Sequence, residues 1–144
     1  MVAAHLAVGV ALIVLNLVAF AFGGIAWLRK LPSIPFWYLL RAAQVSVFVQ
    51  ALLGGLLVFT GHESRDDHHY LYGILPLVVS FLAEGARTGA AQRELGDVDF
   101  EALPAASQQS LALAIVRREM GIMVVSCGVI LFLALRAAGT STLL

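Results

Sequence analysis

The chain has 144 residues, of which 60% are hydrophobic and only 12% are charged. Its mean hydropathy is +0.92. Soluble domains carry about 25% charged residues, so this composition excludes a disordered protein, a nucleic-acid binder and an ordinary cytosolic enzyme. It specifies an integral membrane protein. Nine basic side chains balance nine acidic ones, leaving no net field to steer a polyanion.

A spanning helix needs about 20 mostly apolar residues. The length therefore allows about four spans in one membrane domain, and the expected fold is an all-α, integral membrane four-helix bundle. The first helix is expected over about residues 4–28. No Lys or Arg precedes it, Arg29 and Lys30 follow it, and it exceeds a signal-peptide core of about 7–15 residues, so it reads as a retained span. The second is expected over about residues 36–60, after a turn holding Pro32 and Pro35. The third, over about residues 69–87, follows a short polar loop containing His62, Glu63, Arg65, Asp66, Asp67 and His68. A longer polar loop with Glu94, Asp97, Asp99 and Glu101 leads to the fourth, over about residues 105–137. Pro104 suits a helix start, where its missing N–H costs nothing. Cys127 lies within the fourth apolar run and reads as a small packing residue.

These spans sort the charges. Arg29, Lys30, Arg41, Arg87, Arg93, Arg117 and Arg118 fall at one face, and only Arg65 and Arg136 at the other. The positive-inside rule places the first face in the cytoplasm and both termini outside the cell membrane. Arg41, Arg117 and Arg118 are expected to snorkel to the inner headgroups. Glu84 and Arg87, three residues apart, are expected to form a local ion pair.

Polar groups that lipid cannot satisfy turn toward the bundle interior. At about 100° per residue, His5, Gly9, Asn16 and Gly23 fall within roughly 40° of one line. His69, Gly73, Pro76, Ser80, Glu84 and Arg87 share a stripe of roughly 80°, from which His68 points about 100° away. Gln50 and Gly54 share a face of the second helix. Such stripes serve helix packing, since small residues let membrane helices approach and polar ones bond across the interface.

The four histidines, His5, His62, His68 and His69, all fall at the outer end. Neutral imidazole binds zinc, copper and heme iron, and two histidines from different helices at matching depth suffice to grip a heme. His5 and His69 meet that requirement best, each with a glycine (Gly9, Gly73) one turn deeper to leave room for a flat porphyrin. The expected protein is then a b-cytochrome-like carrier of heme b. It would transfer electrons or handle heme in the bilayer, as a homodimer or within a larger membrane complex. Two other readings stay open: an accessory membrane subunit without cofactor, and an outer-face metal-binding protein using His62, His68 and His69 with neighbouring carboxylates, or His5. The spacing of His62, His68 and His69 matches no standard zinc pattern. No nucleophile–base pair or phosphate-binding loop points to a hydrolase.

The stretch Gln50-Ala-Leu-Leu-Gly-Gly-Leu-Leu-Val-Phe-Thr-Gly-His62, followed by Asp66, Asp67, His68 and His69, resembles a segment of the heme A synthase family. That family places a Gln- and Gly-bearing helix with a Thr-Gly or Ser-Gly exit before an outer loop and a histidine-bearing helix. It has eight helices, so the likeness is to one four-helix half. In each half, histidines on the two helices flanking this segment ligate heme at the outer end. The resemblance implies His5 and His69, or His68, as the axial pair. It implies heme binding, not the synthase reaction.

Overall fold

The computed structural model describes residues 1–62 and 66–140. It contains helices α1 (Val2–Leu28), α2 (Ile34–Phe59), α3 (Asp67–Leu95) and α4 (Ala105–Gly139), and the described residues include no strand. All four helices are long and apolar enough to cross a membrane. At about 1.5 Å per residue they are roughly 39–52 Å long, against a hydrocarbon core of about 30 Å. The fold is the expected all-α four-helix bundle, compatible with a multi-pass membrane protein.

Local chemistry sets the helix ends. Ser33 caps α2, its Oγ accepting the Phe36 N–H at 3.3 Å, and Pro35 sits in the first turn, so the helix begins at Ile34. Asp66 caps α3 by accepting the His68 N–H at 2.9 Å. This helix runs to Leu95, well past the expected end near residue 87. The added segment is polar, but Ala90, Ala91, Gln92, Arg93, Glu94 and Leu95 all favour helix over coil. Ala90 is buried. The helix stops only at Gly96, whose φ of 53° costs a glycine little.

In the bundle α1 packs against α2 and α4, α4 also packs against α3, and α2 touches α3 only lightly. The helices therefore form a ring in the order α2, α1, α4, α3. The first and third lie across its diagonal, and the seam between the second and third is loose. Lipid supplies no hydrophobic drive for this association, so close packing has to hold it. Glycines on one helix lie beneath aromatic rings from the next: Gly23 under Phe36, Gly121 under Trp27 and Gly128 under Phe20. A Cβ at position 23 would stand 2.3 Å from the Phe36 ring. Cys127 is buried beside Met123 and Val124, in the packing role expected of it. Val14, Leu17, Phe22, Phe48 and Phe132 remain exposed on the outer faces, suited to lipid.

Both described ends of the chain lie with the histidines, and most of the arginines lie at the opposite, basic end. There the expected Glu84–Arg87 pair forms at 2.8 Å and belongs to a larger network. Glu84 also accepts from Arg41 at 2.6 Å and from Gln44 at 2.8 Å. Arg87 reaches Glu119 at 3.4 Å and lies over the Trp37 ring. Arg41 thereby bridges α2 and α3 through the Glu84 carboxylate, with about half of its side chain still exposed (52%). Arg118 likewise pairs with Glu94, which the extension of α3 brings within reach. Asn16, buried in α1, bonds the Leu12 carbonyl of its own helix at 2.9 Å.

Candidate functional site

At the histidine end all four helices contribute to one polar spot. His5 comes from the start of α1 and His69 from the first turn of α3. Across the diagonal their ring centroids stand 6.2 Å apart, with planes inclined at 62°. Gln50 of α2 approaches from one side and the Ala137 carbonyl of α4 from another.

The hydrogen bonds define what each imidazole offers. The His69 Nδ1 lies 3.0 Å from the Ala137 oxygen. A carbonyl only accepts, so Nδ1 carries the proton and Nε2 keeps a lone pair. A carbonyl that accepts from one ring N–H fixes the tautomer and the orientation of the imidazole. The His5 Nε2 lies 3.1 Å from the Gln50 amide nitrogen, which only donates, so Nε2 accepts and the proton of neutral His5 resides on Nδ1. Among the described residues, that Nδ1 and the Gln50 Oε1 are both buried without a hydrogen-bond partner. Unpaired buried polar atoms are costly and rare, and two of them adjoin here.

The surrounding glycines fix this geometry. Gly9 faces the Gln50 amide, where a Cβ would stand 3.1 Å from the amide nitrogen. Gly54 faces His5, with 3.3 Å to the ring Cε1. Gly9 therefore does not leave the open room expected of it, because the Gln50 side chain fills that space. Gly73 does, having nothing among the described residues within 4 Å of its would-be Cβ.

The other two histidines point elsewhere. His68 bonds Asp66 at 2.8 Å, stacks on Tyr72 and is largely exposed. His62 is exposed beside the Thr60 hydroxyl, 3.3 Å away. Glu63 and Arg65 lie outside the described residues. Among the described residues, no group of three His, Cys, Asp or Glu side chains is placed to hold a metal ion. What converges is a pair of imidazoles.

A pair suits one class of ligand better than another. Tetrahedral zinc takes four donors, whereas heme iron brings its equatorial nitrogens and asks the protein only for axial ligands. Metal–imidazole bonds of about 2.0–2.1 Å put two ligating rings about 6 Å apart, centroid to centroid, close to the spacing of His5 and His69. Helical periodicity pointed to this pair. The Ala137 carbonyl had no sequence signal, because a backbone group is silent about its contacts. Comparison with protein-family models, curated proteins and solved structures finds no match to this chain.

Proposed function

We propose that this chain is a b-type, heme-binding membrane protein in which His5 and His69 are the axial ligands. The observation that carries this reading is the cross-diagonal pair, spaced at 6.2 Å, with the His69 tautomer set by Ala137. The His5 Nδ1 and Gln50 Oε1, which find no partner among the described residues, add to it, since a site built for a ligand leaves polar groups unsatisfied without one. The heme A synthase-like stretch ending at His69 points the same way. Bound heme would supply a one-electron carrier whose potential depends on its axial ligands and the polarity around them. His5 and His69 would hold it, the Ala137 carbonyl would orient the His69 imidazole, and Gly73 would leave space beside His69. His5 would free a ring lone pair for iron by giving up the Gln50 N–H, the amide then turning its oxygen to accept the other ring N–H. With seven of nine basic residues at the far end, the positive-inside rule puts this site on the extracytoplasmic side of the cell membrane. Electron transfer or heme handling follows as the role, in a homodimer or as a subunit of a larger membrane complex.

The test is an absorption spectrum of protein purified from heme-supplied cells. A Soret band with sharp reduced-state bands is expected, lost in His5→Ala and in His69→Ala and kept in His62→Ala and His68→Ala. Colourless wild-type protein would overturn the reading and leave an accessory subunit without cofactor as the better account. Loss of the band in His68→Ala with retention in His69→Ala would refute the assigned pair.

A further inference from the structure

An open groove of about 320 Å³ lies at the other end, between α1 and α4. Its floor is apolar, formed by Trp27, Leu113, Val116 and Met120, and its rim carries Lys30 and Arg117. Arg41, Arg87 and Arg118 at this end are all engaged with carboxylates. Among the described residues neither Lys30 nor Arg117 has such a partner, so two uncompensated cations flank one apolar groove.

The backbone holds Lys30 in place. The Leu31 N–H returns to the Ala26 carbonyl at 2.9 Å and the Lys30 N–H to the Trp27 carbonyl at 3.0 Å, closing the C-terminus of α1. This closure puts Lys30 at a φ of 58°, a conformation that glycine adopts at lower cost. Gly121 makes room for the Trp27 indole against α4, where the ring lines the floor of the groove. The depth also fits a bilayer boundary. From Arg117 to the end of α4 at Gly139 is about 33 Å along the helix, close to the hydrocarbon thickness of about 30 Å.

We propose that this groove binds an anionic glycerophospholipid from the leaflet at the basic end, with its phosphate between Lys30 and Arg117 and an acyl chain along Trp27 and Leu113. Paired cations over an apolar trough match the two halves of such a lipid, and basic pockets between spanning helices are recognised headgroup sites. A soluble anion would need only the rim and would make no use of the floor.

The experiment uses the full chain in detergent micelles supplied with equal amounts of phosphatidylglycerol and phosphatidylcholine of matched acyl chains. Lipid retention is read by native mass spectrometry. The wild type is expected to keep phosphatidylglycerol preferentially. Removing one cation should weaken that preference about fivefold, and the Lys30→Ala/Arg117→Ala pair roughly twentyfold. Ala114→Phe, which fills the groove without altering charge, should also lose the bound lipid, and Arg93→Ala should keep it. Equal retention of the two lipids by the wild type, or an unchanged preference in both the double variant and Ala114→Phe, would overturn the proposal. So would displacement of phosphatidylglycerol by millimolar inorganic phosphate, which would identify a soluble-anion site.

Discussion

At the basic end, the Glu84 carboxylate receives Arg41, Gln44 and Arg87, and Arg87 goes on to Glu119. At the histidine end, His5 and Gln50 satisfy one bond between them and, among the described residues, leave two buried atoms with none. Both are polar clusters among apolar helices, yet one is closed on itself and the other is open. A closed network offsets its own desolvation and needs no ligand. An open one retains an energetic deficit that a bound group could remove. Charge density alone would direct attention to the basic network, whereas hydrogen-bond accounting directs it to the histidines.

The sharpest way to break this contrast is to cross the readouts. His5→Ala and His69→Ala are expected to abolish heme absorbance while the bundle still folds, since their rings are only partly buried. Glu84→Gln is expected to do the reverse, keeping the spectrum and lowering stability. If Glu84→Gln removed the heme and the histidine variants only unfolded the protein, the roles of the two ends would be exchanged. Next in size is Gln50→Leu. Loss of a group that orients a ligand costs about 10–100-fold in metal affinity, so a heme titration should weaken by that factor. An unchanged titration would make Gln50 a packing residue only.

Two structural changes follow at about 1–3 kcal/mol each. Glu84→Gln weakens charge-assisted bonds to Arg41 and Arg87, each worth about 1.5–3 kcal/mol in favourable settings and less where solvent reaches them. Gly23→Ala forces a methyl into the buried Phe36 ring, an overpacking that costs about 1–3 kcal/mol. Unfolding in mixed micelles would read both. A Gly23→Ala protein as stable as the wild type would show that the α1–α2 contact has slack.

The sequence carried the architecture because spans of about 20 apolar residues and the lopsided arginines are properties of composition and order. It carried the His5–His69 pairing because 3.6-residue periodicity places each at the head of a small-residue face. It did not carry the end of α3, because Thr88–Leu95 is polar like a loop and helical like its neighbours, and only Gly96 separates the two. It also did not carry the Arg41–Glu84 bridge. That contact joins residues 43 apart in the chain, and it depends on α2 and α3 standing side by side, which periodicity within a single helix cannot report. The space at Gly9 is hidden from the sequence for the same reason: the Gln50 side chain that fills it belongs to another helix.

The smallest expected effect lies at the entrance to α3 and tests whether the open end is held from outside as well as within. The backbone N–H of His68, followed by its side chain, holds the Asp66 carboxyl below the usual carboxylate range. A carboxyl with a lowered folded-state value contributes stability that is complete above its unfolded value, about 3.9, and is lost as the pH falls through the folded one. The first turn of α3, which carries His69, should therefore loosen only in acid. Amide hydrogen exchange at His68, His69 and Tyr70 would follow it. Asp66→Asn keeps an oxygen to cap the helix but has no proton to gain, so its exchange rates, corrected for intrinsic pH dependence, should stay flat below pH 4 while the wild type's rise. Parallel curves for the two proteins would assign the acid response to another group and leave the cap with no part in positioning His69.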